Sequence, residues 1–148
     1  GIARGWFAPT GTTVLAARAF AANLTGTPTL ESRLTLPAWE NPMSTLGGEE
    51  SHRGVPNGRF TVRGVLGANL EARQAVKEFD GLGAVGLLGF VDAGRVFEEE
   101  DWALTFDDWT VGGGGGIWLR VMQGSVLQFT AGFAEGESFL GFRTAWSF

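Results

Sequence analysis

Apolar and polar or small residues alternate with a period of two along most of the second half of this chain, which is the pattern of strands with one greasy face. In 59–76, Arg63, Asn69, Glu71 and Arg73 fall on one face and Val62, Leu66, Ala68, Leu70 and Ala72 on the other. Residues 83–97 repeat this, with Leu87 and Val91 opposite Phe90, Asp92 and Gly94. Three short strands are predicted near the end. Ile117, Leu119 and Val121 oppose Trp118, Arg120 and Met122; Leu127, Phe129, Ala131 and Phe133 oppose Gln128, Thr130 and Gly132. Leu140, Phe142, Thr144, Trp146 and Phe148 oppose Gly141, Arg143, Ala145 and Ser147.

The first half is less regular. Residues 1–9 read as the end of a strand whose beginning is missing, and 12–24 as an alanine-rich strand, because a helix there would lack a cap and set Arg18 near its apolar stripe. Six strands are expected, or seven with the opening one. From about residue 25 to 58 runs a long loop with a short strand expected at 32–36. A loop of about 35 residues in a compact domain is functional or separately packed more often than not. Its last part, LGGEESHRGVPNGRFTVRG, concentrates paired glycines, acids, the lone histidine and three arginines. The acidic 98–109 region is a polar excursion, and Gly112 to Gly116 form a glycine run that either softens the wall near a seam or turns the chain.

Composition narrows the class. The chain has 148 residues, enough for one domain, and is treated as a single domain over 1–148. Glycine contributes 24 residues, cysteine none and histidine one, which removes disulfides, thiolate metal sites and histidine-rich metal sites from consideration. No cofactor is expected. A net charge of -5 without a basic run argues against a nucleic-acid partner. No apolar run is long enough for a membrane-spanning helix, but strands of alternating residues can still cross a membrane. The polar face is rich in glycine, poor material for a solvent-facing strand and useful where other chain packs closely inside a barrel. A secretion leader is expected to have been removed or to lie upstream.

Ser51 beside His52 does not define a hydrolase, since adjacency in sequence is no contact between base and nucleophile and no third member is marked. The glycine run lacks the Lys-Ser/Thr of a phosphate loop. No catalytic residue is assigned.

The C-terminal spacing of Leu140, Phe142, Trp146 and Phe148 resembles the assembly signal of bacterial outer-membrane barrels. With LGGEESHRG, NLEAR and FVDAG upstream, in that order, the chain resembles the C-terminal half of the barrel in the BamA-like outer-membrane assembly and translocation family, also called the bacterial surface antigen family. That resemblance implies an all-β fold, an antiparallel transmembrane β-barrel, either half of a 16-stranded barrel or a small barrel of about 8 strands. It also implies a loop folded into the lumen, with Gly47, Gly48, Arg53 and Gly54 as its locking motif and Glu71, Phe90, Asp92 and Gly94 as partners on the inner wall. His52 and Val55 stand where the family carries a small apolar residue and an aromatic.

The function implied is assistance in outer-membrane protein insertion or polypeptide translocation in the bacterial outer membrane, without chemistry of its own, by a loop-locked lumen and a weak seam between first and last strands. The partners implied are outer-membrane lipids, the barrel assembly machinery through the C-terminal strand, and client outer-membrane proteins, with a homo-oligomer or envelope complex also open. An accessory barrel without assembly activity is the alternative. A soluble ligand-binding barrel, with the greasy face turned into an internal pocket, is a third.

Overall fold

The computed structural model describes residues 1–27, 29, 35–36, 43–44, 46–56, 59–60, 63–98, 107–122 and 124–146. Among the described residues nine strands run in chain order: β1 (Ile2–Phe7), β2 (Thr13–Asn23), β3 (Thr35–Leu36), β4 (Met43–Ser44), β5 (Gly64–Phe79), β6 (Gly83–Phe97), β7 (Thr110–Val121), β8 (Ser125–Ala134) and β9 (Glu137–Arg143). The two-residue strands β3 and β4 pair with each other. The other seven form one antiparallel sheet in the order β1-β2-β5-β6-β7-β8-β9.

The alternation does what period-two patterning dictates. Leu15, Leu70, Leu87, Val91, Ile117, Phe129 and Phe142 project outward and are exposed, while Arg18, Asn69, Glu71, Arg73, Asp92, Gln128 and Thr130 project inward and are buried. Facing residues in the ladder carry this across strands: Asn69 lies opposite Arg18 on one side and Asp92 on the other. Outside, Phe129 and Phe142 are register partners with ring centroids 4.8 Å apart.

The inner face has three bands. At one end Phe20, Leu46 and Val65 pack together; at the other Ala84, Leu88, Phe90 and Trp118 do the same. The charged residues lie between them. The sheet curls around this interior. Arg73 of β5 has its guanidinium carbon 4.4 Å from the ring centroid of Trp146, just beyond β9, whereas four flat strand spacings would separate β5 from β9 by about 19 Å.

Despite its curl, the sheet is open. β1 and β9 are its two edges and are not paired with each other, so neither a closed barrel of about eight strands nor a seam between first and last strands is formed. Segment 46–56 fills the concave side instead. Several local expectations also shift. Of the strand expected at 59–76, positions 61–62 lie outside the described residues; β5 covers Gly64–Phe79, past the expected end, with a register irregularity between Ala75 and Lys77. Gly112 to Gly116 lie within β7, paired on both sides, two strands in from the β9 edge, and form no turn. β9 ends at Arg143, so Trp146 leaves the outer row and turns inward, where its ring meets Trp118 edge-on at 5.3 Å. Of the strand expected at 32–36, positions 32–34 lie outside the described residues, as does Phe148.

Candidate functional site

The site is built by one folded segment and the wall it rests on. Gly47 and Gly48 have φ of 137° and 74°, backbone that favours glycine, and they reverse the chain at the start of the segment. The Gly47 N–H donates to Ser51 Oγ at 2.8 Å, Ser51 Oγ donates back to the Gly47 carbonyl at 3.0 Å, and the Gly48 N–H donates to the Val55 carbonyl at 2.6 Å. These bonds satisfy backbone groups that burial would otherwise leave costly. The reversal delivers Arg53 to the wall.

Arg53 is 1% exposed. Its Nε donates to Asp92 Oδ2 at 2.9 Å and its Nη2 to Asp92 Oδ1 at 2.8 Å, a fork-to-fork pair. Its own backbone N–H donates to the same Oδ2 at 2.9 Å. Nη1 donates to Glu71 Oε2, and Glu71 Oε1 accepts from Arg73 Nε at 2.5 Å. Beneath the guanidinium lies Phe90, with its ring centroid 3.7 Å from the guanidinium carbon. Burial works against the Arg53 charge, but the hydrogen bonds and charge of Asp92, with Glu71 behind them, outweigh it and raise its pKa.

Asn69 links this cluster sideways. Its Nδ2 donates to Asp92 Oδ1 at 2.8 Å and to the Ser51 carbonyl at 2.7 Å, while its Oδ1 accepts from Arg18 Nε at 2.9 Å. The network thus runs from β2 through β5 and β6 into the segment.

The wall is thinned where the segment's backbone passes. A Cβ at Gly132 would overlap the Arg53 carbonyl, and one at Gly94 would overlap the Leu46 side chain. Gly54 lies against the β8 backbone at Phe133 and the Ala134 side chain. His52 is fully buried; its Nε2 donates to the Thr110 carbonyl at 3.2 Å and its Nδ1 accepts from the Gly54 N–H at 3.3 Å, which fixes the tautomer. Val55, at 0% exposure, is buried in the same segment.

A second set of contacts, which sequence reasoning missed, ties the segment to β8 and β9. Thr130 Oγ1 donates to Glu49 Oε1 at 2.5 Å, Arg143 Nη1 donates to the Glu49 carbonyl at 3.0 Å, and Arg143 Nη2 pairs with Glu50 Oε1 at 2.8 Å. Arg59 pairs with Glu137 at 2.6 Å nearby. Arg18 and Arg143 were also missed. Arg18 could have been found as the one charge in an alanine-rich strand, in phase with Ala16 and Phe20; Arg143 carries no such local signal.

All eight proposed locking and wall residues lie in this assembly. The expected C-terminal signal is divided: Leu140, at 81% exposure, and Phe142 point outward, Trp146 points inward, and Phe148 lies outside the described residues. Among the described residues no cluster of three or more potential metal ligands occurs. No family model matches the chain, no curated protein matches it, and no solved structure matches it.

Proposed function

We propose that this chain forms part of the wall of a transmembrane β-barrel in the bacterial outer membrane, with segment 46–56 locked in its lumen. The observation that carries the reading is the inverted polarity of the sheet: aliphatic and aromatic side chains are exposed on the outer face, and arginines and carboxylates are buried on the inner one. In water that arrangement exposes a broad apolar surface, whereas against lipid it is the ordinary one. A soluble ligand-binding barrel would bury the face that is exposed here.

The connections add support. Those at 8–12, 80–82 and 122–124 leave one end of the sheet and are all short, while both long connections, 24–63 and 98–109, leave the other end, beside the two-residue turn 135–136. Short turns on the periplasmic side and long excursions outside are the habit of outer-membrane barrels.

Within that class, the loop-lock motif and its wall partners favour a BamA-like protein that assists insertion or translocation of other polypeptides and carries no catalysis of its own. Arg53 holds the segment against β5 and β6, and the edge strands of the described sheet, β1 and β9, are where strands of other polypeptides add. An accessory barrel without assembly activity is the second reading, favoured by the density of contacts that hold the lumen filled.

Two measurements test these levels. The native chain has no cysteine, so single spin labels at Leu87→Cys and Phe129→Cys should be accessible to oxygen dissolved in lipid, and a label at Thr130→Cys should not; the reverse result rejects the membrane reading. Arg53→Ala in cells should lower the level of folded reporter barrels in the outer membrane. Unchanged reporters with a released segment would favour the accessory role.

A further inference from the structure

We infer that the outer face carries a binding site for an anionic phospholipid near the end of the short turns, with its phosphate on Lys77 and one acyl chain in a groove formed by β1, β2, β5 and β6. The inference rests on the outer-membrane reading above and specifies one lipid contact within it.

The site begins with a bulge. Odd-numbered residues of β5 face inward as far as Ala75, and unbroken alternation would turn Lys77 into the lumen as well. The register irregularity between Ala75 and Lys77 leaves Val76 as an extra residue, so Lys77 pairs with Val85 and joins the outward row of Val85 and Leu119. Re-aiming a side chain in this way is a recurrent use of a bulge. The chain's single lysine is thereby moved to the outer face, where its Nζ lies 5.5 Å from the ring centroid of Phe79. Glu78 pairs instead with Arg120, at 3.8 Å, and no carboxylate among the described residues pairs with Lys77.

From Lys77 toward the middle of the sheet the outer face turns from charged to polar to apolar. Thr13 and Gln74 are register partners in the next outward row of β2 and β5, and Thr13 Oγ1 donates to Gln74 Oε1 at 2.6 Å. Beyond them opens a groove of about 530 Å³, with Phe7, Leu15, Leu70 and Val91 as its walls and Ala72 and Gly89 in its floor. The floor is open rather than crowded: a Cβ at Gly89 would meet no heavy atom nearer than 3.9 Å.

Cation, hydroxyl and amide, then hydrocarbon-lined groove is the order of a phospholipid read from phosphate through its glycerol esters to its acyl chain. Charge selects the headgroup, because a basic side chain at the membrane boundary attracts anionic lipid. A second copy of the chain offers no such complement, since the outward residues of β6, β7 and β8 at this level include no acid.

The test reconstitutes the whole gene product in vesicles of phosphatidylcholine and phosphatidylglycerol, with a photoreactive group on the acyl chain of one lipid or the other. The phosphatidylglycerol probe should label 13–17 and 70–77 above the rest of the outer face. Lys77→Gln should lower that labelling about fivefold, the weight of one basic side chain at an anionic surface, and Lys77→Arg should retain it. Gly89→Leu, which fills the floor without meeting backbone, should lower labelling at 70–77 by the same probe. Even labelling of the outer face by both lipids, indifferent to Lys77→Gln, would overturn the inference. So would crosslinks from Leu15 or Leu70 to another polypeptide covering the groove. Absence of acyl-chain labelling anywhere on the outer face would instead overturn the membrane reading on which it rests.

Discussion

Arg53 and Asp92 meet as a two-pronged pair whose carboxylate also accepts the arginine's own backbone N–H, so one side chain of β6 fixes both the head and the main chain of the residue it holds. The consequence is directional rigidity. A charge pair alone would tolerate sliding of the segment along the wall; three bonds to one carboxylate do not.

Removal of one member of this cluster leaves the other buried and uncompensated. Arg53→Ala should destabilise the fold by about 3–5 kcal/mol, the range for breaking a buried pair from one side, and open segment 46–56 to protease. Arg53→Lys keeps the charge but loses the fork, so it should fall between wild type and Arg53→Ala. Urea titration in detergent with limited proteolysis measures both.

The wall beneath Arg53 has no room for a methyl group. Gly132→Ala drives a Cβ into the Arg53 carbonyl, and overpacking of this kind costs about 1–3 kcal/mol. Gly124 provides the control, because an added Cβ there has open space around it; Gly124→Ala should change stability by less than about 0.5 kcal/mol. Unfolding midpoints of the two variants give the comparison.

Arg59 and Glu137 form a partly exposed pair at the rim, with side chains 34% and 39% accessible. Glu137→Ala should therefore cost only about 0–1 kcal/mol, and less again as salt screens the pair. The effect of Arg53→Ala should persist at the same salt concentration. A salt series on both variants separates the two anchors.

If the outer face meets lipid, charge there is expensive at depth. Leu87→Arg should lower the stability of the vesicle-inserted chain by about 2–4 kcal/mol near the bilayer midplane, whereas an exposed site in water would change by no more than about 0.5 kcal/mol. Equilibrium refolding into vesicles of phosphatidylcholine distinguishes the two.

The strands were legible because alternation is written locally. Asn69, Glu71 and Arg73 occupy every second position and therefore one face, whatever the rest of the chain does. The glycine run was harder to read, since five glycines have poor strand propensity by themselves; β7 forms because β6 and β8 pair with it on both sides, and its inner positions lie beside bulky neighbours such as Phe90. Trp146 misled for the opposite reason. The alternation continued past Arg143, but the strand did not, and the interior offered the ring both Trp118 and Arg73. At the site, the meeting of Arg53 with Asp92 and Glu71 follows from the motif resemblance and not from periodicity. The Glu49 and Arg143 contact joins residues 94 apart, and no local pattern encodes a contact of that separation.

That separation also orders events in time. Segment 46–56 emerges from synthesis well before β8 and β9, yet its Glu49 contacts wait for Thr130 and Arg143. Such late, distant contacts slow folding, because the chain between them must be closed before they contribute. Full seating of the segment therefore depends on the final hairpin of the sheet: Arg53 needs only β5 and β6 for its contacts with Glu71 and Asp92, whereas Glu49 has its partners only when β8 and β9 are in place.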